Sequence, residues 1–155
     1  MFRYRANFDR MTLERARKWS QQFMPDELQK QLRSSASSPK TSFGSSLRDA
    51  LIDVLVHGQD IARPLQRERP TPPEHVVIAL EHALSSRWYG ARKRFVNMKL
   101  QSTDIEWTTG TGPKLIVGPT MDLLLVATGR PTAIENLSGP GIDDLRNKLT
   151  HRPSS

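Results

Sequence analysis

The residue types best suited to chemistry lie in residues 47–64, where acidic side chains and one histidine recur at helical spacing. At about 100° per residue, four of them fall in one stripe about 80° wide, while most of the remaining circumference is apolar: Asp49, Asp53, His57 and Asp60. This pattern predicts a helix buried on several sides. An acidic stripe inside a bundle is costly unless it is paired, solvated in a cavity or bound to a metal. Asp53 and His57 are four residues apart, so both side chains can reach one cation.

The spacing alone leaves the chemistry of this pair open. An aspartate and a histidine one turn apart form a hydrogen-bonded or solvated surface pair more often than a metal site. A stable zinc-type site usually needs at least three protein ligands, and Asp53 and His57 supply two. The other histidines are His75, His82 and His151. For each of these we expect an exposed or hydrogen-bonded side chain rather than a ligand.

Composition excludes several classes of protein. The 155 residues include no cysteine, which excludes a disulfide framework, a thiolate zinc site and a cysteine nucleophile. Any thiol chemistry would therefore use a thiol that the protein borrows. The longest apolar runs, such as residues 123–127, fall far short of the roughly 20 residues that span a bilayer, so we expect no membrane partner. Residues 1–5 lack the apolar core of a secretory signal, which predicts a cytoplasmic location.

The chain is basic, with 23 Lys and Arg against 16 Asp and Glu and a formal net charge of +7. Basic residues are densest in residues 86–95, where interleaved aromatic side chains could stack on bases while arginines pair with phosphates. However, carboxylates are spread among the basic clusters, and no recognisable nucleic-acid module surrounds them. We therefore favour a solvated or anion-steering surface over nucleic-acid binding. The nucleic-acid alternative predicts association that weakens steeply with salt.

Helices dominate the predicted elements of the first half. Residues 34–46 are rich in serine and predict a connector. Four helices are predicted around it: residues 12–23, a helix opened by Pro25, a helix that starts at the capping box of Ser46 and Asp49 and ends before Pro64, and a helix opened at residues 71–74.

The pattern changes after Gly90. Residues 98–117 contain short stretches with polar alternation, which predict a small sheet. Gly118 and Pro119 open an apolar helix that stops at Gly129, and a last short helix follows residues 139–141. The predicted fold class is α+β.

Several short motifs occur in a fixed order between residues 47 and 149. They are Val56-His57-Gly58-Gln59-Asp60-Ile61 with Arg63-Pro64-Leu65, Thr103-Asp104-Ile105-Glu106-Trp107 with Gly110 and Gly112-Pro113, Gly118-Pro119 leading to Thr128-Gly129-Arg130-Pro131, and Leu137-Ser138-Gly139-Pro140-Gly141. Together these motifs resemble the mycothiol-dependent maleylpyruvate isomerase-like proteins of the DinB superfamily. The resemblance covers about two-thirds of the chain.

The resemblance implies a DinB-like helical metal-binding domain joined to a smaller α/β region, in actinobacteria whose soluble thiol is mycothiol. On this basis residues 1–89 are an incomplete bundle that lacks its first helix or helices, residues 90–150 are a small α/β C-terminal region, and residues 151–155 are a frayed tail. One bundle helix of the family carries a carboxylate or histidine four residues before a histidine. These positions map onto Asp53 and His57 as metal ligands. Asp60 also matches the family pattern, and it would either orient His57 by a hydrogen bond or cap the helix end.

The resemblance also implies cofactors, partners and a reaction class. The cofactors are a divalent metal, with zinc the expected ion, and mycothiol. They would serve a thiol-dependent cis–trans isomerase or a thiol transferase that acts on an anionic substrate. A divalent metal lowers the pKa of a bound thiol, and addition of the thiolate to a conjugated double bond, rotation and elimination would then give the isomer.

The sequence departs from the family in one respect. The family's third ligand is a histidine on an earlier bundle helix, and no histidine precedes His57 here. The resemblance therefore implies a shortened member, a start upstream of Met1, or a ligand supplied by another chain. A bundle that lacks a helix would expose an apolar face, which predicts self-association into a homo-oligomer or marginal stability. The alternative function is a non-catalytic binding or interaction module.

Overall fold

The computed structural model describes residues 2–35 and 46–150. Helices make up most of these residues, and a three-stranded sheet completes a mixed α+β fold, which confirms the predicted fold class. The contacts divide the chain into two compact units, Met1–Lys40 and Thr41–Ser155. Among the described helices, none combines the length and apolar character needed to cross a membrane.

Parts of the predicted domain organisation stay predictions. The boundary expected between residues 89 and 90 rests on the family resemblance, and the contacts group residues 41–155 in one unit. Most of the predicted connector, residues 36–45, lies outside the described residues, as does the predicted frayed tail, residues 151–155.

The first unit holds two helices, α1 (Phe2–Gln22) and α2 (Pro25–Ser35). At the start of α2, the backbone N–H of Met24 donates to Glu27 Oε2 at 2.9 Å, which satisfies one of the donors that helix starts leave free. Both helices are predicted from the sequence, although α1 begins well before the expected start at residue 12. The reason is that apolar and polar side chains alternate along residues 2–8, a pattern that does not follow the helical period of 3.6 residues.

The second unit begins with α3 (Leu47–Ala62). Its predicted capping box is present, because the Asp49 N–H donates to Ser46 Oγ at 3.2 Å and the Ser46 N–H donates to Asp49 Oδ2 at 2.9 Å. The predicted end before Pro64 is also confirmed. The expectation that α3 is buried on several sides is wrong, since its buried residues lie on one side: Ile52, Leu55, Val56, Gln59 and Ala62. Helix α4 (Pro73–Ser85) starts at the predicted prolines and packs against α3.

A small sheet follows a single-turn helix, α5 (Ala91–Arg94). Its strands are β1 (Met98–Ser102), β2 (Thr108–Thr109) and β3 (Lys114–Gly118), in the order β2-β1-β3. Strand β1 pairs antiparallel with β2 and parallel with β3. The side chains of β1 alternate between the core and solvent, which confirms the predicted small sheet. Ile105 and Trp107, which the sequence analysis grouped with the strands, lie in the turn between β1 and β2.

Helix α6 (Thr120–Ala127) forms the centre of the second unit. All of its residues except Met121 are buried, and it packs against α4, α5 and a 3-10 helix, Pro131–Asn136. The chain then enters α7 (Ile142–Thr150), the last predicted helix. The hydrophobic core joins α3, α4, the sheet and these later elements, and its largest fully buried apolar side chains are Ile52, Leu80, Leu100, Ile116, Leu123, Leu124 and Leu145.

A polar cluster of the buried residues Ser102 and Thr120 with the exposed Asp104 fixes the start of α6. The Asp104 carboxylate accepts hydrogen bonds from the backbone N–H of Thr120 at 3.0 Å and from the Thr120 hydroxyl, and Ser102 Oγ lies 2.7 Å from Thr120 Oγ1. Burial alone would raise the pKa of Asp104. The hydrogen bonds from Ser102 and Thr120 together outweigh this effect, so the pKa of Asp104 lies below its ordinary value. This carboxylate satisfies a free donor at the helix start from outside the helix.

Replacement of Thr120 by valine should therefore lower the free energy of unfolding by about 1–2 kcal/mol, because valine keeps the shape but removes the buried hydroxyl. Urea unfolding followed by circular dichroism measures this change. Thr111→Val is the control, since Thr111 is exposed in a loop, and its effect should stay within about 0.5 kcal/mol. Equal effects of the two substitutions would contradict a stabilising role for the cluster.

Candidate functional site

The acidic stripe predicted on α3 lies outside the buried side of that helix. Asp53, His57 and Asp60 are exposed and Asp49 is half-buried. Contact with solvent and with hydrogen-bonding partners therefore removes most of the desolvation cost that a fully buried acidic stripe would carry. The residues of the stripe differ in what they contact, and they divide into two groups at the two ends of α3.

The end of α3 carries a chain of three charged or titratable side chains. His57 Nδ1 lies 3.1 Å from Asp60 Oδ2, and the Asp60 carboxylate accepts two hydrogen bonds from Arg130, at 2.8 Å from Nη2 and 3.2 Å from Nε. The hydrogen bond and charge of Arg130, together with His57, hold the pKa of Asp60 below its ordinary value, although burial opposes this shift. Asp60 is therefore a charged acceptor that fixes the orientation of the His57 ring.

A pocket of about 160 Å³ lies beside this chain of residues. It is formed where the end of α3 meets the end of α6 and the segment that follows it. Its lining combines donors, acceptors and apolar surface: Gln59, Asp60, Arg63, Pro64, Leu125, Arg130 and Thr132. The two arginines of this lining carry donor groups that suit acceptor atoms of a small polar group.

The second arginine of the pocket pairs with a buried carboxylate. Arg63 Nη1 donates to Asp122 Oδ1 at 2.7 Å, and Asn136 Nδ2 donates to the same oxygen at 2.9 Å. Asp122 is only 5% exposed, so Arg63 supplies the positive charge that a buried carboxylate requires. Arg63 also donates from Nε to Gln59 Oε1 at 3.2 Å, which fixes its guanidinium against α3.

Gly58, in the Val56 to Ile61 motif, allows a close approach to α3. The guanidinium of Arg69 lies across the helix at this position and donates from Nη1 to the backbone carbonyl of Val54 at 2.9 Å. A Cβ at residue 58 would lie 1.7 Å from Arg69 Nη1. The absence of a side chain at Gly58 therefore leaves room for the Arg69 guanidinium against the helix, next to His57.

The other group of the stripe lies at the start of α3. Asp49 Oδ1 accepts hydrogen bonds from His82 Nε2 at 2.8 Å and from the Tyr89 hydroxyl at 3.0 Å. Hydrogen bonds from Ser46 hold the pKa of Asp49 well below its ordinary value, and those from His82 and Tyr89 add to the effect. Burial raises the pKa of Tyr89, and the hydrogen bond to Asp49 raises it further. Asp49 therefore joins α3 to α4 and to the loop before α5.

The structure accounts for the other candidate ligands. His82 is a hydrogen-bonded histidine and His75 is exposed, as the sequence analysis expects, and His151 lies outside the described residues. Asp53 makes no hydrogen bond or ion pair among the described residues, and it is exposed one turn before His57. Residues 2–35 and 46–150 contain no group of three or more His, Cys, Asp or Glu that could hold one metal ion. The assignment of Asp53 and His57 as metal ligands stays a prediction.

Sequence analysis did not identify Arg130, Asp122 or Tyr89 as residues of these clusters. Arg130 belongs to the Thr128-Gly129-Arg130-Pro131 motif. This motif contributes to the family resemblance but does not indicate that Arg130 pairs with Asp60. The contact of Arg130 with Asp60 joins residues 70 positions apart. Such a pairing depends on how α6 packs, and no local spacing reports it.

Comparisons with known proteins do not identify a relative. No protein-family model matches the chain. No curated protein and no solved structure matches it with significance.

The Asp49 cluster predicts how stability varies with pH. A carboxylate whose pKa is lowered by folding stabilises the native state above its unfolded-state pKa of about 3.9, and this contribution is lost as the pH falls through the lower folded-state pKa. Asp49→Asn should therefore destabilise the protein by about 1–2 kcal/mol at pH 7, and the difference from the parent should shrink below about pH 4.

Urea unfolding at a series of pH values tests this expectation. Asp53→Asn is the matched control, since Asp53 lies one turn along the same stripe and makes no hydrogen bond among the described residues. A difference between the parent and Asp49→Asn that is as large at pH 3 as at pH 7 would show that the Asp49 carboxylate is not the group responsible.

Proposed function

We propose that the chain is a homologue of the mycothiol-dependent maleylpyruvate isomerase-like metalloenzymes, a thiol-dependent isomerase or transferase. In this proposal Asp53 and His57 contribute to a divalent-metal site. The observation that supports it is the chain of contacts from Arg130 through Asp60 to His57 Nδ1. Because Asp60 occupies Nδ1, Nε2 is the nitrogen left for a cation, and an outer carboxylate of this kind is typical of metal-binding histidines. Asp53, one turn earlier, can reach the same cation.

Asp53 and His57 are suitable types of ligand for a divalent metal, but two protein ligands are fewer than such a site needs. Imidazole and carboxylate together suit zinc and similar ions, and Asp53 and His57 are both accessible. A site of ordinary stability needs a third protein donor, and the described residues place none beside these two. When bound, such an ion would lower the pKa of a thiol that coordinates it.

Two arginines of this chain would bind an anionic substrate. Arg63 and Arg130 line the pocket beside His57, and their side chains are 37% and 30% exposed. Each is already paired with a carboxylate, so the pocket has little net charge. Attraction of an anion from a distance would come from the net charge of +7. Within the pocket, the remaining guanidinium N–H groups would bind and orient the substrate's carboxylate.

Metal binding is the direct test of this proposal. The parent should bind Zn²⁺ at a stoichiometry near one in isothermal titration calorimetry, with the low affinity expected of two protein ligands. His57→Ala should remove measurable binding because it removes a donor. Asp60→Asn should weaken binding about 10- to 100-fold, since it removes the charged group that orients His57.

The control for this test is His75→Ala, which removes an exposed histidine on α4 and should leave binding unchanged. Parent protein that takes up no metal after loading with excess Zn²⁺ would contradict the proposal. The same conclusion would follow if His57→Ala and His75→Ala behaved alike.

A different observation favours the alternative function, a non-catalytic interaction module. Four apolar side chains recur along one side of α3 and its end, with exposures of 59–75%: Leu47, Val54, Ile61 and Leu65. We call this set the exposed apolar face of α3, which is distinct from the acidic stripe. Exposed apolar side chains that recur along one side of a helix favour an interaction site. A second copy of the chain is the partner we test, because the open apolar face predicted from the sequence implies self-association.

Val54→Gln/Ile61→Gln should shift the chain toward the monomer in sedimentation velocity, while the parent associates as its concentration rises. The free energy of unfolding should change by less than about 1 kcal/mol, since both side chains are exposed and glutamine favours helix. Ile78→Gln on α4, where Ile78 is 45% exposed, is the control and should associate like the parent. A parent that stays monomeric at every concentration would rule out self-association through the exposed apolar face of α3.

A further inference from the structure

Residues 82–103 contain five basic residues and no Asp or Glu. Four of the five are exposed: Arg87, Arg92, Lys93 and Lys99. None of these four forms an ion pair among the described residues, whereas Arg63 and Arg130 each pair with a carboxylate. Their positive charges therefore remain available to an anionic partner.

Trp88 lies between Arg87 and Arg92 in the sequence. It is 84% exposed, more than any other large apolar side chain in the described residues. Its indole takes part in neither of the two aromatic contacts that the described residues make. Most of the ring therefore faces solvent, where a planar partner can stack on it. We call Trp88 and the exposed cations next to it in the sequence, Arg87, Arg92 and Lys93, the Trp88 surface. Lys99 is left out, because it lies on β1 and lines a separate pocket together with Glu106.

The backbone on both sides of Trp88 is held in place. The Trp88 N–H donates to Ser86 Oγ at 3.2 Å, and the Tyr89 hydroxyl donates to Asp49. Gly90 turns the chain with a φ of 70°, and Arg94 Nη1 donates to the backbone carbonyls of Tyr89 and Ala127. Arg94, the fifth basic residue, thus faces inward and fixes the loop. A fixed loop reduces the entropy that binding would cost.

We propose that the Trp88 surface binds single-stranded nucleic acid without sequence preference, independently of the metal-site proposal. A base stacks on the Trp88 indole, and the exposed cations contact the phosphates on either side. Aromatic stacking combined with a positively charged track is the usual basis of such binding, and it tolerates any base because every base has a π face. Of the carboxylates that argued against this function, Asp49 lies beside this loop and accepts a hydrogen bond from Tyr89, but among the described residues no carboxylate forms an ion pair with Arg87, Arg92 or Lys93.

The surface fits a lipid headgroup layer less well. Segments that lie on membranes bury a continuous apolar face, usually of an amphipathic helix. Here α5 is a single turn of four residues, and Val96, 49% exposed, is the nearest other exposed apolar side chain in sequence. Isolated exposure of one tryptophan among cations favours stacking over insertion.

Fluorescence anisotropy of a labelled oligothymidylate of about 12 nucleotides, a length within known site sizes, tests the proposal on the full chain. With three phosphate contacts, log K should fall with log[salt] at a slope of about −2. Trp88→Ala should weaken binding about 5- to 150-fold with little change in slope, because it removes stacking and no charge. Arg92→Gln/Lys93→Gln should reduce the slope to about −0.7, because two of the three phosphate contacts are lost.

The control is Trp19→Ala, which removes a tryptophan that is 46% exposed on the basic helix α1 and should leave binding unchanged. Circular dichroism should show that all variants remain folded. Absent or salt-insensitive binding would overturn the proposal, and so would equal effects of Trp88→Ala and Trp19→Ala. Tighter, Trp88-dependent binding to phosphatidylserine vesicles than to the oligonucleotide would overturn it in favour of a membrane surface.

Discussion

The carboxylate of Asp122 imposes a constraint on much of the second unit, because it lies on α6, where all residues but Met121 are buried. A buried carboxylate without a positive partner carries a large desolvation cost. Arg63 and Asn136 meet this requirement with hydrogen bonds of 2.7 and 2.9 Å. These partners come from the end of α3 and from the 3-10 helix. One buried charge therefore holds three separate segments in a fixed relation.

The same contacts hold the walls of the candidate pocket in place. Arg63 is also bonded to Gln59, and Gln59 Nε2 donates to the backbone carbonyl of Arg69 at 3.2 Å. The chain after α3 is thereby drawn back over the helix, where the missing side chain of Gly58 leaves room for the Arg69 guanidinium. Asp60 and Arg130 close the same region by a bidentate ion pair. The orientation of His57 thus depends on contacts that begin at the core.

Local signals in the sequence predict the helices well and the site only in part. The capping box at Ser46, the prolines at the start of α4 and the apolar run of α6 each act over a few residues, so their spacing reports them directly. The side on which α3 is buried depends on its neighbours, and the apolar residues Val54 and Ile61 gave a misleading expectation of burial. The single turn α5 and the 3-10 helix are too short to produce a periodicity. Pairings such as Asp60 with Arg130 depend on tertiary packing and leave no local pattern.

The structure also assigns different tasks to the members of the acidic stripe. Asp49 is used to cap α3 and to join it to α4 and Tyr89, and Asp60 is used to pair with Arg130 and orient His57. Hydrogen bonds hold the pKa of both carboxylates below the ordinary value, so both remain charged acceptors at neutral pH. Asp53 and His57 Nε2 are then the donors of the stripe that no described structural contact occupies. Because both residues are exposed, the fold meets no desolvation cost in keeping them available. A cation would therefore be held by exposed residues of a helix that is already fixed by Asp49 at one end and by Asp60 at the other.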